Sequence, residues 1–281
     1  MMVHFNGQFL EKTQVAISPD DRGFLFADGL YEVIRSYSGR LFRAAEHLER
    51  LAHGLKELRI EGLDARSLQP IAEQLITGNK LEGTDAIIYF QVTRGAAPRT
   101  HEFPAAGTPP TVYVQARAYS RPTKLQDDGA AAILAADQRW SRCNIKTTGL
   151  LPNILARQQA HEAGAFEAIF TRDGLLQEGS HSSILFVKKD VLVCPTLTNR
   201  ILPSITREVV IKCAAAESIE YEIRSCREGE LATFDEVMML GTGVEIVPMT
   251  SVNGRKIRHG YPGRITRKLQ KAFRDHVAVH S

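Results

Sequence analysis

The sequence predicts an α+β protein with two domains, and three observations support this prediction. The 281 residues are 43% hydrophobic, which is enough to bury one large core or two smaller ones. Helical and strand patterns occur together in both halves of the chain. Residues 120–128, between the halves, lack either period and have the composition of a linker. We therefore expect a small N-terminal α/β domain at 1–119 and a larger C-terminal domain at 129–281.

In the N-terminal half, two helices and two strands follow from local patterns. Leucines recur at three- and four-residue steps within 43–58 and predict a helix there, and a second helix is predicted at 67–77. Runs of β-branched and aromatic residues predict strands at 86–93 and 111–116. The polar loop 95–110 that joins these strands is long, which is typical of functional or disordered segments.

The C-terminal half is predicted by the same criteria. Its elements are a strand at 131–136, a helix at 151–163, a hairpin strand at 168–171 turning at Asp173-Gly174, a second at 184–187 turning at 188–190, a strand at 237–240, and helices near 205–217 and 262–276.

Charge, hydropathy and cysteine usage exclude several classes of protein. The net charge is only +3 and no Lys/Arg run occurs, so we expect no nucleic-acid partner. The longest run of small apolar residues, 130–136, is far below the ~20 residues that span a bilayer, and the N-terminus lacks a secretory signal. The four cysteines lack metal-ligand spacing and are interpreted as ordinary thiols of a cytoplasmic protein, with no metal site.

Several separate segments carry the residue types that a pyridoxal phosphate (PLP) enzyme needs. Lys146 offers an amine for a Schiff base, and Glu178 offers a carboxylate for the pyridine nitrogen. Arg50 offers a fork for the phosphate, and Pro203-Ser204 indicates a helix start that exposes the N–H groups of Ile205 and Thr206. Taken singly, each of these residues has an ordinary alternative: a surface lysine, a turn carboxylate, a solvated arginine.

Other catalytic motifs are missing or weak. The chain contains no GxxxxGK[ST], GxGxxG, GxSxG or HExxH pattern. Ser180 precedes His181, but sequence neighbours rarely form a nucleophile–base pair, so a hydrolase is disfavoured.

The segment 21–33, Asp-Arg-Gly-Phe-Leu-Phe-Ala-Asp-Gly-Leu-Tyr-Glu-Val, resembles the N-terminal signature of the fold-type IV (class IV) PLP enzymes. Similarity continues through 46–50, 143–146, 178–183, 205–206 and 264–270, and so covers nearly the whole chain. The loop 92–101 is similar to that of the D-amino acid aminotransferases within this family. Three features depart from the family pattern: His181 stands where a small hydroxyl residue is usual, the stretch 241–244 is less hydroxyl-rich, and Pro152 is unusual at its position.

The resemblance implies a homodimeric enzyme with the fold-type IV fold, whose C-terminal domain binds PLP. It would transfer the amino group of a D-amino acid, such as D-alanine, to a 2-oxo acid, such as 2-oxoglutarate, through an aldimine on Lys146. The remaining roles are implied residue by residue: Glu178 as partner of the pyridine nitrogen, Leu202 as packing on the ring, Arg50, Ile205, Thr206 and Thr242 as phosphate ligands, and Tyr31, Arg99 and His101 as ligands of the substrate carboxylate.

Three rival functions stay open at this point. An aminodeoxychorismate lyase shares the fold and cofactor, although the loop carrying Arg99 and His101 argues against it. An aminotransferase for branched-chain L-amino acids or (R)-amines would bind the carboxylate differently or not at all. A PLP-binding regulatory or storage protein without catalysis is disfavoured by the complete set of candidate groups.

Overall fold

The computed structural model describes residues 1–280, which divide into two compact units. The first unit comprises residues 1–120 and 145–149, and the second comprises 121–144 and 150–280. The segment 145–149 belongs to the first unit because its backbone bonds that unit: Tyr31 N donates to Lys146 O at 3.1 Å, and Thr148 N donates to Gly29 O at 3.0 Å.

The segment expected to be a linker contains a helix of the second unit, residues 123–128. Its Gln126 side chain is buried and donates to the carbonyl of Val244 at 3.0 Å. Six residues are too few to show a helical period, and this helix depends on its tertiary contacts. Local pattern therefore could not predict it.

The first unit contains six strands and three α-helices. In chain order they are β1 (Met2–Phe5), β2 (Gln8–Glu11), α1 (Arg22–Phe26), β3 (Gly29–Tyr37), β4 (Arg40–Leu41), α2 (Ala44–Leu58), α3 (Leu68–Gly78), β5 (Ala86–Thr93) and β6 (Thr111–Ala118). The strands form one antiparallel sheet in the order β2-β1-β6-β5-β3-β4. Short 3-10 helices cover Lys12–Gln14 and Ala65–Ser67.

The core of the first unit lies between the sheet and helices α2 and α3. The leucine stripe of α2 is buried, with Leu48, Leu51 and Leu55 each under 5% exposed. Strand β3 pairs with β5 over eight residue pairs, from Gly29 opposite Thr93 to Ser36 opposite Ala86. This pairing fixes the backbone positions of the polar residues of β3.

The second unit contains ten strands and four α-helices. In chain order they are α4 (Thr123–Asp128), β7 (Ala130–Ala136), α5 (Leu151–Glu162), β8 (Glu167–Arg172), β9 (Leu175–Gly179), β10 (Ser183–Lys188), β11 (Val191–Cys194), α6 (Ile205–Ala216), β12 (Tyr221–Ile223), β13 (Cys226–Arg227), β14 (Glu236–Gly241), β15 (Glu245–Val252), β16 (Arg255–Lys256) and α7 (Arg264–His280). A 3-10 helix covers Glu228–Thr233.

The sheet of the second unit is mixed. Its order is β12-β11-β10-β14-β15-β7-β8-β9-β13, and β16 pairs with β15. The pairs β11–β12, β15–β7 and β7–β8 are parallel, and the remaining pairs are antiparallel. The predicted α+β class is therefore confirmed.

A buried carboxylate fixes the start of the C-terminal helix. Glu236 on β14 accepts hydrogen bonds from the backbone of Ile265 at 3.0 Å and of Thr266 at 2.7 Å, and from the Thr266 hydroxyl at 2.7 Å. These bonds satisfy amides that have no acceptor within the helix. They explain why the Arg264-Ile265-Thr266 segment has a defined place in the fold.

Sequence patterns located eight of the sixteen strands and five of the seven α-helices within residues 1–280, and β3 and β15 are the two long strands that they missed. The periodic helices α2 and α3 and the two hairpins, β8–β9 and β10–β11, lie within a few residues of their predicted positions. Strand β3 mixes apolar residues with Glu32, Arg35 and Ser36, all of them buried, so it lacks an apolar run. Within residues 1–280, no helix combines the length and the hydropathy needed to cross a membrane.

Candidate active site

Lys146 lies beside Tyr31 in the first unit. The Nζ atom of Lys146 is 4.2 Å from the centroid of the Tyr31 ring. Two features hold the lysine there: its carbonyl accepts from the Tyr31 amide, and Thr147 forms a bridge with Leu30 on β3. The chain segment that carries the lysine is thereby tied to the strand that carries the tyrosine. Both side chains are half-buried, so the amine is shielded but reachable.

Arg50 is held by a buried carboxylate on β3. Its Nε and Nη2 atoms donate to Glu32 at 2.8 and 2.7 Å, in a two-point fork. The His47 Nδ1 atom lies 3.1 Å from the same carboxylate. Because His47 and Arg50 are three residues apart on α2, both reach Glu32 from one face of the helix. Glu32 thus fixes the direction in which the guanidinium points.

The protonation states in this cluster follow from burial and charge. Burial opposes ionisation of Glu32, but Arg50 and His47 outweigh burial and hold the pKa of Glu32 well below its usual range. Burial lowers the pKa of His47, and the charges of Arg50 and Lys146 lower it further. Glu32 raises the pKa of His47, but by less than the other effects lower it. We therefore read the cluster at neutral pH as a Glu32–Arg50 ion pair with a neutral imidazole beside it.

Arg99 and His101 lie together in the exposed loop between β5 and β6. The ring of Phe26, the last residue of α1, contacts both of them. No hydrogen bond within residues 1–280 joins either side chain to Tyr31, the third residue assigned to the substrate carboxylate. A shared carboxylate site for the three residues therefore stays a prediction.

In the second unit, Glu178 lies on β9 and is 5% exposed. Arg139 Nη1 donates to its Oε1 atom at 2.5 Å, and the amide of Leu202 donates to Oε2 at 3.2 Å. The structure thereby brings together two residues that the sequence assigned to the same ring. The Nε and Nη2 atoms of Arg139 donate hydrogen bonds to the carboxylate of Asp137, at 2.9 and 3.0 Å, and these bonds anchor the arginine.

Arg139 stays charged despite being buried. Burial alone would lower the pKa of its guanidinium, but Asp137 and Glu178 outweigh burial and raise it above the ordinary value. A permanent cation beside Glu178 favours its ionised form. An ionised carboxylate is the form that can pair with a protonated ring nitrogen.

Helix α6 begins as the sequence predicted. Ser204 is its N-cap, and the Ser204 hydroxyl accepts from the amide of Arg207 at 3.2 Å. The preceding amides, of Ile205 and Thr206, have no carbonyl within the helix to bind, so they are suited to an anion. The helix packs on β14, whose end leads into the turn that contains Thr242.

Glu167 organises the turn that follows Glu178. It is fully buried and accepts from the hydroxyls of Ser180 and Ser182 at 2.5 and 2.6 Å, and its Oε2 atom lies 3.0 Å from His181 Nδ1. Burial opposes ionisation, but the bonds from His181 and the two serines lower the pKa of Glu167 to about 2. A Cβ on Gly179 would lie 2.1 Å from the Ser182 hydroxyl, so only glycine fits there.

Sequence reasoning missed Glu32, His47, Arg139 and Glu167 as supports of the site. Glu32 did carry a signal, because alternation along β3 places it on the same face as Leu30 and Ile34. A charge on an apolar face requires a partner. Arg139 carried no comparable signal, since its partner Glu178 is 39 residues away in sequence.

A family model described as amino-transferase class IV matches residues 29–252 of the chain. A D-alanine aminotransferase from Bacillus licheniformis is 39% identical over 278 residues, which cover 99% of this chain and 97% of that protein.

Two solved structures share the fold over nearly the whole chain. A branched-chain amino acid aminotransferase from Escherichia coli has a TM-score of 0.91 at 27% identity, with 98% of this chain and 93% of that chain covered. A branched-chain amino acid aminotransferase from Thermobaculum terrenum, solved in its PLP-form, has a TM-score of 0.86 at 25% identity, with coverage of 100% and 94%.

Proposed function

The chain belongs to the class IV aminotransferases, and we propose that it catalyses PLP-dependent transamination between a D-amino acid, such as D-alanine, and a 2-oxo acid, such as 2-oxoglutarate. The observation that carries the proposal is the similarity to a D-alanine aminotransferase along nearly the entire length of both proteins. The loop with Arg99 and His101 supports the D-amino acid assignment within the family.

The candidate residues carry the types of group that the cofactor requires. A phosphate binds cationic and N–H donors, so we assign Arg50 and the amides of Ile205 and Thr206 at the start of α6 to it. A pyridine nitrogen needs an ionised carboxylate, which Glu178 supplies with Arg139 behind it. Thr242 and Leu202 are assigned to the phosphate and to the ring face, respectively. When bound, PLP supplies an aldehyde for the amino group and an electron sink for the substrate α-carbon.

Lys146 is the residue that we assign to the proton transfer. Its Nζ atom would take the proton from the substrate α-carbon and hold it for transfer to the cofactor, not for return to the same carbon. The contact with the Tyr31 ring restricts where the amine can lie. Arg139, which is held in place by Asp137, puts a cation against Glu178, and this cation favours the ionised form of the carboxylate.

Arg99, His101 and Tyr31 are assigned to the substrate carboxylate. A guanidinium, an imidazole and a phenol can together place a carboxylate with several directed bonds. The Arg99 guanidinium forms no ion pair with any carboxylate in residues 1–280, so its donors are available to a substrate.

The proposal includes a homodimer in the cytoplasm. Helix α5 exposes an apolar face formed by Leu151, Ile154 and Leu155, which are 67%, 61% and 59% exposed. An exposed stripe at helical spacing is typical of an interface, and a second copy of the chain would cover it. The four cysteines are free and buried, which fits a reducing compartment.

The half-reaction with a single amino donor tests the function. Purified holoenzyme mixed with D-alanine, without a 2-oxo acid, should lose its visible absorption band, and the same enzyme with L-leucine should keep it. Bleaching by L-leucine alone would favour the branched-chain activity named for the structural neighbours. Lys146→Ala should lose both the visible band and turnover, and wild-type turnover in that variant would rule out the assignment of Lys146.

A further inference from the structure

Helix α1 anchors the loop that carries Arg99 and His101. Arg22, at its first position, donates from Nη1 to the carbonyl of Thr100 at 2.8 Å. The amide of Arg22 also donates to the carbonyl of Gly95 at 2.9 Å. The residue between Arg99 and His101 is therefore bonded directly to the helix.

Arg22 is itself immobilised. It is 4% exposed, and its Nε atom donates to Asp28 at 2.9 Å. Arg94 donates to the same carboxylate at 2.8 and 2.9 Å. Burial works against the charge of Asp28, but the two arginines lower its pKa. One ionised carboxylate thus ties α1 to the first residue of the loop.

Phe26, at the other end of α1, contacts both donor side chains. The Arg99 guanidinium carbon is 5.2 Å from the centroid of the Phe26 ring, and the His101 ring is 5.7 Å away at a tilt of 45°. A guanidinium within about 6 Å of an aromatic face is attracted to it. The ring therefore restricts the two side chains relative to each other.

This contact does not occupy the donors of Arg99. Within the part of the chain that the structure describes, the Arg99 side chain forms no ion pair or hydrogen bond, and its ring contact is with Phe26. Attraction to a ring face leaves the N–H groups in the plane of the guanidinium open to a carboxylate. The arrangement orients the arginine without neutralising it.

We propose that Phe26 is a positioning residue for the substrate carboxylate and sets the spacing of Arg99 and His101, while Arg22 fixes the loop between them. This inference rests on the proposed function, because it uses the assignment of Arg99 and His101 to the carboxylate. Phe26 acts through these two side chains and does not touch the reacting atoms. Its loss should weaken substrate binding and leave the chemical step unchanged.

The test compares Phe26→Leu with Phe24→Leu in the holoenzyme. Phe24 lies on the same helix and is 76% exposed. Phe26→Leu should raise KM for D-alanine and for 2-oxoglutarate about tenfold, as expected for the loss of two ring contacts, with kcat within about twofold. Phe24→Leu should leave both constants unchanged. Phe26→Met, which fills similar volume without a ring, should repeat the rise in KM if the leucine variant does not fold.

A variant that lacks Arg99 and His101 tests whether Phe26 changes KM through these two side chains. In an enzyme that carries Arg99→Gln and His101→Gln, adding Phe26→Leu should change KM by less than about twofold, because the two side chains that Phe26 positions are gone and, within residues 1–280, only its contact with Arg22, 4.9 Å from the ring centroid, remains. A further full rise in KM there would overturn the proposal, as would a fall in kcat with KM unchanged in the single variant. If wild-type enzyme failed to react with D-alanine, the proposed function would fall. An unchanged KM in Phe26→Leu would count against the positioning role alone.

Discussion

Glu32 and Arg50 form a two-point ion pair in which the carboxylate is fully buried, with N–O distances of 2.8 and 2.7 Å. The strand residue sets the direction of the guanidinium before any phosphate arrives. Preorganised donors bind an anion more tightly than mobile ones, because less side-chain freedom is lost on binding. The affinity for PLP should therefore depend on Glu32 as well as on Arg50.

We expect Glu32→Gln to weaken both PLP binding and the fold. The amide removes the charge that Arg50 and His47 face, and removing one partner of a buried pair costs about 3 kcal/mol. The dissociation constant of PLP should rise about tenfold. Urea unfolding of the apoenzyme and titration with PLP measure the two effects.

The matched control for this variant is Glu49→Gln. Glu49 forms an exposed ion pair with Arg66 at 3.8 Å, which contributes at most about 1 kcal/mol. Equal effects in the two variants would show that burial of Glu32 has no special role.

The lowered pKa of Glu167 predicts that the free energy of unfolding decreases as the pH falls below 4.5. The pKa of Glu167 is lowered to about 2 from 4.5, so its contribution to stability is fully present above pH 4.5 and is lost as pH falls towards 2. The full contribution is about 3 kcal/mol, of which about 2 kcal/mol should be lost by pH 3. Glu167→Gln should lack this loss, while Glu162→Gln, an exposed carboxylate on α5, should follow wild type. Urea unfolding at pH 6 and pH 3 measures the loss of unfolding free energy. Equal losses in wild type and Glu167→Gln would contradict the prediction.

Arg139→Lys tests whether Glu178 depends on the shape of its cationic partner. Lysine keeps the charge but cannot bond Asp137, Glu178 and the carbonyl of Arg200 together. We expect kcat/KM to fall about tenfold, with a changed pH dependence of the visible spectrum of the holoenzyme. Arg200→Lys, in an exposed pair with Asp173, should stay within about twofold. An unperturbed Arg139→Lys would mean that charge alone is sufficient.

The apolar face of α5 predicts the state of association. A charge at Ile154, as in Ile154→Asp, should convert a dimer into a monomer, because an unpaired carboxylate would be buried at the interface. Val279→Asp, at a site 77% exposed on α7, is the control and should leave the dimer intact. Sedimentation velocity over a range of protein concentrations measures this. A dimer that survives Ile154→Asp would place the interface elsewhere.

Local patterns in the chain are sufficient to predict the elements whose signals act between near neighbours. The leucine stripe of α2 and the turn at Asp173-Gly174 act between near neighbours, so their patterns predict structure directly. The serine cap of α6 is local in the same way. Lys146, Glu178 and Arg50 are assigned from separate short motifs, and their roles toward the cofactor stay predictions.

The pairing of the buried charges depends on the three-dimensional fold. Glu32 meets Arg50 across 18 residues of sequence and Arg139 meets Glu178 across 39, through the register of β3 and the packing of β9. The same holds for residues 145–149, which join the first unit through hydrogen bonds to β3 and to the residues just before it. A buried charge needs a partner, but its identity depends on which strands and helices come to lie side by side. Local pattern does not contain that information.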